Sequence, residues 1–286
     1  MISLRYEIVD VFTDRPFTGN PLAVVYDAEN LSTGQLHALA REFNLSETVF
    51  VLPPTKAEAT YRARIFTPEE ELPFAGHPSV GAAVAYSRRT GSGPGEVVQE
   101  CAAGLLPITV HEDGAAMLTG GIPTVSPEED PALLLSTASL PADDYAGPPP
   151  RTAGCGLEFP YLSVRPDALA RAKPNPMTGV RAVTVFAWDP DTRIAHTRVF
   201  CPGMGVPEDP ATGSSALGFG VWLVASGLVP GDGRSNYTVR QGIEMHRPST
   251  LECTVTAVGG AAVSATVTGH TVPVAHGEIA VPPFVG

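Results

Sequence analysis

Short segments in which apolar residues either alternate with polar ones, as at 59–66, or follow one another, as at 48–52, are predicted to be strands. The first two predicted strands are 6–12 and 22–26, which a turn-rich stretch separates. Further strands are predicted at 48–52, 59–66, 97–101, 105–111, 115–118, 182–188, 194–200, 237–240, 251–258, 262–268 and 278–281. Together they indicate a sheet-rich α+β chain.

Two segments consist almost entirely of small or apolar residues and predict buried helices. They are 78–86 and 214–225. A helix that is apolar on every side has no face suited to water, so we expect both to lie inside the protein. Ser32 is predicted to cap a third helix, in which apolar residues recur at helical spacing from Leu36 to Phe43.

A short motif occurs twice and predicts two halves of similar architecture. Residues 64–73 and 198–207 share an Arg, a Phe and two Pro at a constant offset of 134 residues. A small-residue segment follows each copy, at 76–81 and at 213–218, where the offset is 137. Each half is expected to place a polar residue where its buried helix begins. Two such helix starts that face one another would make a central site.

The two halves are placed at 1–125 and 126–286 as two domains. The crossover between them is expected in the segment 123–150, which is rich in Pro, Ser and Asp. The sequence leaves open whether the C-terminal strands complete the first half.

Composition and charge narrow the class of protein. The 286 residues are 43% hydrophobic and 17% charged, as in a soluble globular protein with a substantial core. The formal net charge of −12 argues against nucleic acid or an anionic membrane as a partner, but an anionic small molecule remains compatible with it. No signal peptide or membrane-spanning run is visible, and the four cysteines form no CxxC pair. We therefore expect a cytoplasmic protein with reduced cysteines.

The tripeptide Gly-His-Pro at the start of the first buried helix is a candidate binding element. With Pro78 at the first helical position, His77 would be the N-cap at the positive end of the helix dipole, and Gly76 would let a ligand approach the backbone. A plain turn into the helix is an equally good interpretation of this tripeptide alone. Gly213 and Ser214 begin the second helix similarly, which favours a pair of sites for a carboxylate.

Two carboxylates are candidates for moving protons. Asp209 precedes the second helix and either caps a turn at Pro210 or binds a substrate amine or moves a proton. Glu47 begins the apolar run 48–52, where burial would raise its pKa as a general acid/base near neutral pH requires. Taken alone, this segment favours the alternative interpretation, in which Glu47 is an exposed glutamate in a loop.

Several motifs are missing, and their absence limits the chemistry. The seven histidines show neither HxxxH nor HExxH spacing, and no phosphate loop, GxGxxG after a strand or GxSxG is present. We therefore expect neither a metal nor a cofactor. Cys155 as a nucleophile has no support in the sequence.

At these motifs the chain closely resembles the PhzF-like isomerase family of phenazine biosynthesis. The resemblance extends over essentially the whole length. It rests on Asp10-Val-Phe12 with Gly19-Asn-Pro21, Asn44-Leu-Ser-Glu47, Arg64-Ile-Phe-Thr-Pro68 with Glu71-Leu-Pro-Phe-Ala-Gly-His-Pro78, Glu208-Asp-Pro-Ala-Thr-Gly-Ser214, and Gln241-Gly-Ile-Glu244 with Arg247-Pro-Ser249.

The resemblance implies a diaminopimelate-epimerase-like fold, in which two similar domains each roll a mixed sheet around a central helix and the site lies between them. It implies a cofactor-free isomerase that is usually a homodimer. In the family, the residue at Glu47 relocates a proton, those at His77 and Asp209 bind and orient the substrate, and the second helix start contributes at Gly213 and Ser214.

The family's best-known reaction isomerises a dihydro-hydroxyanthranilate, and other relatives move double bonds in cyclic amino-acid intermediates of antibiotic pathways. The leading hypothesis is therefore an isomerase of secondary metabolism that shifts a proton and a double bond in a small unsaturated carboxylate. A racemase or epimerase and a non-catalytic binding protein are the alternatives. The fold's racemases use two cysteine thiols, and the equivalent positions, Ala75 and Thr212, carry none. Segment 151–173 shows no family motif, so substrate selection is expected to differ there.

Overall fold

The protein is described by a computed structural model over residues 3–204 and 206–283. The predicted α+β class is confirmed, because more of these residues lie in strands than in helices and the helices are distributed among the strands. The strands are β1 (Ser3–Val11), β2 (Asn20–Tyr26), β3 (Glu47–Leu52), β4 (Tyr61–Phe66), β5 (Glu71–Leu72), β6 (Gly95–Cys101), β7 (Gly104–Val110), β8 (Ala115–Thr119), β9 (Pro123–Val125), β10 (Arg151–Cys155), β11 (Glu158–Ser163), β12 (Val183–Asp189), β13 (Ile194–Cys201), β14 (Val206–Asp209), β15 (Gly233–Gln241), β16 (Ser249–Val258) and β17 (Ala261–Ala280). The α-helices are α1 (Thr33–Phe43), α2 (Gly76–Thr90), α3 (Pro131–Thr137), α4 (Pro166–Leu169) and α5 (Gly213–Ala225).

The chain divides into two compact units. Among the described residues, 3–118 together with 268–283 form the first unit, and 119–204 with 206–267 form the second. The predicted boundary lies at 125/126; in the structure the first unit ends before β9 and includes the C-terminal part of β17.

The first unit is a rolled mixed sheet around helix α2. Its strands pair in the order β17–β1–β2–β3–β4–β6–β7–β8, and β17 also pairs with β8, so the sheet closes on itself. The β2–β3 and β4–β6 pairs are parallel. The antiparallel pairs are β17–β1, β1–β2, β3–β4, β6–β7 and β7–β8. Helix α2 contacts six of these strands, and every residue from Gly76 to Ala85 is buried. This explains why its sequence has no polar face.

Helix α2 begins two residues earlier than predicted. Its N-cap is Ala75, so the prediction that His77 is the N-cap is wrong. His77 is the second helical residue and Pro78 the third. Proline is accepted there because the first four backbone N–H groups of a helix have no partner within the helix.

The second unit is a mixed sheet that packs against helix α5. Strands β9–β10–β11–β12–β13–β15–β16 pair in this order, and β14 pairs with β13. Helix α5 is buried from Gly213 to Val224. The hydroxyl of Tyr161 donates to the carbonyl of Ser215 at 2.6 Å. Gly218 leaves room for this contact, since a Cβ there would lie 2.5 Å from the Tyr161 oxygen.

The repeated motif recurs in the structure as the same ion pair. Arg64 donates from Nε and Nη2 to Glu71 at 2.7 and 2.6 Å, and Arg198 donates from the same atoms to Glu208 at 2.8 and 2.8 Å. Each guanidinium also lies over the ring of the phenylalanine two residues further on, 5.2 and 5.0 Å from the ring centroid. Each pair joins the two short antiparallel strands that precede a buried helix. The repeat is therefore one of contacts as well as of residue types.

Strand β17 corrects the predicted strands at 262–268 and 278–281. The structure has one strand of 20 residues there. Gly269 lies against the ring of Phe12, where a Cβ would clash, and Pro273 lies where the register with β1 shifts. Glycine and proline therefore serve a close contact and a bulge within a continuous strand.

Candidate active site

A carboxylate and an imidazole lie together in the first unit. Glu47 is the first residue of β3, and His77 lies in the first turn of α2. Glu47 Oε2 is 3.5 Å from His77 Nε2, and the side chains are 17% and 4% exposed. Glu47 thus lies at a largely buried strand end and not on an exposed loop. Such a carboxylate, next to a polar neighbour, can accept a proton and return it.

A short hydrogen-bond chain continues from the other side of the imidazole. Asn20 Nδ2 donates to His77 Nδ1 at 3.2 Å, and Ser46 Oγ donates to Asn20 Oδ1 at 3.2 Å. Asn20 is fully buried at the start of β2, and Ser46 directly precedes Glu47. Strands β2 and β3 are parallel neighbours, so their beginnings lie side by side and bring these residues to the start of α2.

Burial sets the charge of the imidazole. Desolvation lowers the pKa of His77 to about 3, because the protonated form cannot be hydrated there. His77 is therefore neutral near pH 7. A neutral imidazole carries one N–H donor and one acceptor nitrogen, and it can hold a polar group of a ligand without adding charge to the site.

A second polar cluster lies at the start of α5 in the second unit. Asp209 is the last residue of β14, and Thr212 is the N-cap of α5. Thr212 Oγ1 donates to Asp209 Oδ2 at 2.5 Å. Gln241, 1% exposed, donates from Nε2 to the Asp209 carbonyl at 2.7 Å and to Thr212 Oγ1 at 3.0 Å, and its Oε1 accepts from the Thr212 backbone N–H at 3.2 Å. This cluster fixes the backbone at Asp209 and at the helix start.

The structure therefore groups the six residues predicted for the site into two sets. Glu47, Gly76 and His77 lie together in the first unit, and the second unit holds Asp209 with Gly213 and Ser214. Gly76 and Gly213 are each the first residue of a buried helix and have helical backbone conformations. The prediction that both helix starts face one cavity stays a prediction.

The two units differ chemically at equivalent positions. In the first unit, Glu47 precedes Thr48, which pairs with Phe66 of the repeated motif. In the second unit, Ala182 precedes Val183, which pairs with Phe200 of the same motif. Glu47 and Ala182 therefore occupy equivalent positions. The offset of 137 residues aligns His77 with Ser214. The second unit therefore has neither a carboxylate nor an imidazole where the first has Glu47 and His77.

Thiols are absent from the two helix caps. The N-caps are Ala75 and Thr212, the two positions that the resemblance equates with the cysteines of the fold's racemases. Cys155 is buried, and burial raises its pKa to about 12, so it remains a protonated thiol at neutral pH. An arrangement of two thiolate bases is not available at these helix starts.

The part of the chain that the structure describes contains no group of three or more His, Cys, Asp or Glu side chains placed to hold a metal ion. Nor does any helix in these residues have the length and apolar character needed to span a membrane.

Sequence reasoning assigned no role to Asn20, Thr212 as a hydrogen-bonding residue, or Gln241. Asn20 and Gln241 nevertheless belong to quoted motifs, Gly19-Asn-Pro and Gln241-Gly-Ile-Glu. Each is a polar residue beside a glycine near one end of a predicted strand, and this is the signal that could have identified them.

Comparison with known proteins decides the family. The model of the phenazine biosynthesis-like protein family, PhzC-PhzF, matches residues 9–277. The chain belongs to this family. An uncharacterized isomerase of Mesorhizobium japonicum is 36% identical over 98% of this chain and 99% of its own length. A trans-2,3-dihydro-3-hydroxyanthranilate isomerase of Pseudomonas aeruginosa is 34% identical over 96% of this chain and 98% of its own length.

A solved structure supports the same assignment. The phenazine biosynthesis protein of the PhzF family from Bacillus anthracis matches with a TM-score of 0.87 at 26% identity, covering 98% of this chain and 100% of the other. The resemblance stated from the motifs and the diaminopimelate-epimerase-like fold class are thus confirmed. Family membership and the named isomerases make the chain an isomerase.

Proposed function

We propose that the chain is a cofactor-independent isomerase that moves a proton, and with it a C=C bond, in a small unsaturated cyclic amino-acid-like carboxylate. The observation that carries the proposal is the pair formed by Glu47 and the neutral, buried His77, together with the lack of an equivalent pair in the second unit. Glu47 is a base with no second base at the equivalent position of the second unit. This arrangement fits a reaction in which a proton leaves and returns on the same face of the substrate. A racemase with two bases needs a partner for Glu47.

In the proposed reaction, the Glu47 carboxylate takes a proton from one carbon of the substrate, and the electron pair of that C–H bond moves into the conjugated system. The carboxylic acid then delivers the same proton to another carbon, so a double bond has shifted and the enzyme is unchanged. Neither an oxidant nor a reductant is required. Positioned proton transfer of this kind typically contributes about 10²–10⁴-fold to the rate.

The remaining site residues would bind the substrate. Backbone N–H groups at Gly76 and at Gly213 and Ser214 begin helices, and the positive end of the helix dipole favours a carboxylate there. Asp209, held by its hydrogen bond from Thr212, would take the amine. His77 would hold a hydroxyl or carbonyl group and fix the geometry of the reacting carbons.

A panel of substrates tests the proposal. The named relative from Pseudomonas aeruginosa makes trans-2,3-dihydro-3-hydroxyanthranilate the first compound to try, followed by other cyclic unsaturated amino acids. The full chain is incubated with each compound in D₂O, and products are followed by ¹H NMR. We expect a shifted double bond with at least one compound, and no shift with Glu47→Gln at equal concentration.

The rival functions give different results when saturated amino acids are added to the same panel. Exchange of the Cα hydrogen of saturated amino acids without any double-bond shift would identify a racemase or epimerase. Binding of the compounds with equal affinity by wild type and Glu47→Gln, and turnover by neither, would favour a non-catalytic binding protein. Both results contradict the proposal.

A further inference from the structure

The imidazole of His77 is held at its Nδ1 side by the side-chain amide of a buried asparagine. Asn20 is 0% exposed and His77 is 4% exposed. The Ser46 hydroxyl donates to Asn20 Oδ1, and the Asn20 amino group faces His77 Nδ1 at 3.2 Å. The structure thus places the oxygen of this amide toward Ser46 and its nitrogen toward His77.

The chemistry of these groups determines which nitrogen carries the proton. An amide NH₂ group only donates hydrogen bonds, so His77 Nδ1 must accept and cannot carry a hydrogen itself. A neutral imidazole has one proton, and that proton must then be on Nε2. The Nε2 atom is buried, lies 3.5 Å from Glu47 Oε2, and has no hydrogen-bond partner among residues 3–204 and 206–283.

We propose that Asn20 is a positioning residue that holds His77 in the Nε2–H tautomer, so that the imidazole presents a hydrogen-bond donor beside Glu47. This inference rests on the proposed function, because it describes how the same site is prepared for its substrate. In this tautomer His77 is a donor to a substrate oxygen and not a base. In the opposite tautomer, the Nε2 lone pair would lie 3.5 Å from the Glu47 carboxylate oxygen, so that two acceptors faced each other with no proton between them.

The near-isosteric variant Asn20→Asp should reverse the arrangement. An aspartate carboxylate only accepts hydrogen bonds, so it would draw the proton to Nδ1 and turn a lone pair on Nε2 toward Glu47. The matched control is Asn236→Asp, which makes the same change at an exposed residue of β15. If Asn20→Asp does not fold, Asn20→Ala is the second variant: it removes the donor that requires Nδ1 to accept and should give a mixture of tautomers.

The first readout is the ¹⁵N NMR spectrum of the full chain labelled in its histidines, with the His77 signals assigned from a His77→Gln sample. In the wild type near pH 7, we expect an unprotonated Nδ1 and a protonated Nε2. Asn20→Asp should exchange the two signatures, and Asn236→Asp should leave them unchanged. A proton on Nδ1 in the wild type would overturn the inference, whatever the substrate proves to be.

The second readout is turnover of the compound that the substrate panel identifies. Loss of one positioned donor typically lowers kcat by about 10²–10³-fold, and we expect Asn20→Asp to show a loss of that order with a smaller change in KM. Asn236→Asp should keep wild-type kcat. A reversed tautomer with unchanged kcat would refute the positioning role and leave the proposed function intact. Failure of the proposed function is seen separately, as a wild type that isomerises nothing.

Discussion

The burial of His77 makes the stability of the protein depend on pH in a way that can be calculated. Burial lowers the pKa of His77 to about 3 in the folded protein, whereas a histidine in an unfolded chain has a pKa of about 6.5. In mildly acidic solution the unfolded chain therefore binds a proton that the folded protein does not. The contribution of His77 to stability is fully present above about pH 6.5 and is lost progressively as the pH falls toward 3.

The size of the effect at pH 5 follows from these two values. At pH 5 the unfolded imidazole is almost fully protonated and the folded one almost fully neutral. Each pH unit below the unfolded pKa lowers the free energy of unfolding by about 1.4 kcal/mol, so the interval from about 6.5 to 5 gives about 2 kcal/mol. The figure of about 2 kcal/mol holds for any pKa of the folded protein that lies about one unit or more below 5, because His77 is then neutral in the folded protein at pH 5.

The assay is urea denaturation at pH 8 and pH 5 for the wild type and His77→Gln. Titrating groups away from His77 act equally in both proteins, so the wild type should lose about 2 kcal/mol more than the variant between the two pH values. His111→Gln, which removes an exposed imidazole, is the control and should lose as much as the wild type. Equal losses in wild type and His77→Gln would show that Glu47 compensates the imidazolium and that His77 is not held neutral, which refutes the reasoning.

Three further predictions concern packing, the second polar cluster and the thiols. Gly218→Ala should lower the free energy of unfolding by about 1–3 kcal/mol in urea denaturation, because its Cβ would lie 2.5 Å from the Tyr161 hydroxyl; unchanged stability would contradict the packing. Gln241→Leu should destabilise by about 1–3 kcal/mol in the same assay, since it leaves the buried Thr212 N–H unpaired. Alkylation of the thiols, or Cys155→Ala, should leave turnover nearly unchanged, and loss of activity by a folded protein would restore a thiol mechanism.

Local sequence patterns were sufficient to predict some elements. Ser32 caps α1 through a capping box with Gln35, and these two residues are only three positions apart at the start of the helix. The start of α2 was misplaced because its N-cap, Ala75, makes no side-chain capping bond and carries no local signal. Likewise, the continuity of β17 through Gly269 depends on the ring of Phe12, which is remote in sequence.

The candidate site shows the same limit. Glu47 and His77 could be named from their motifs and from the family resemblance, but their 3.5 Å contact is made between the start of a strand and the start of a helix. Asn20 is 57 residues from His77, and its role depends on which end of an amide faces a ring nitrogen. Such an orientation follows only from the three-dimensional hydrogen-bond network, so no sequence pattern could have predicted it.

The central claim is that Glu47 moves the substrate proton, and its most direct test compares wild type with Glu47→Gln on the compound that the wild type isomerises. Glutamine keeps the size and hydrogen bonding of glutamate but cannot cycle a proton. We predict that kcat falls by about 10²–10⁴-fold, while the equilibrium Kd for the same compound and the free energy of unfolding stay close to the wild-type values. A Glu47→Gln protein that retains wild-type kcat would contradict the account.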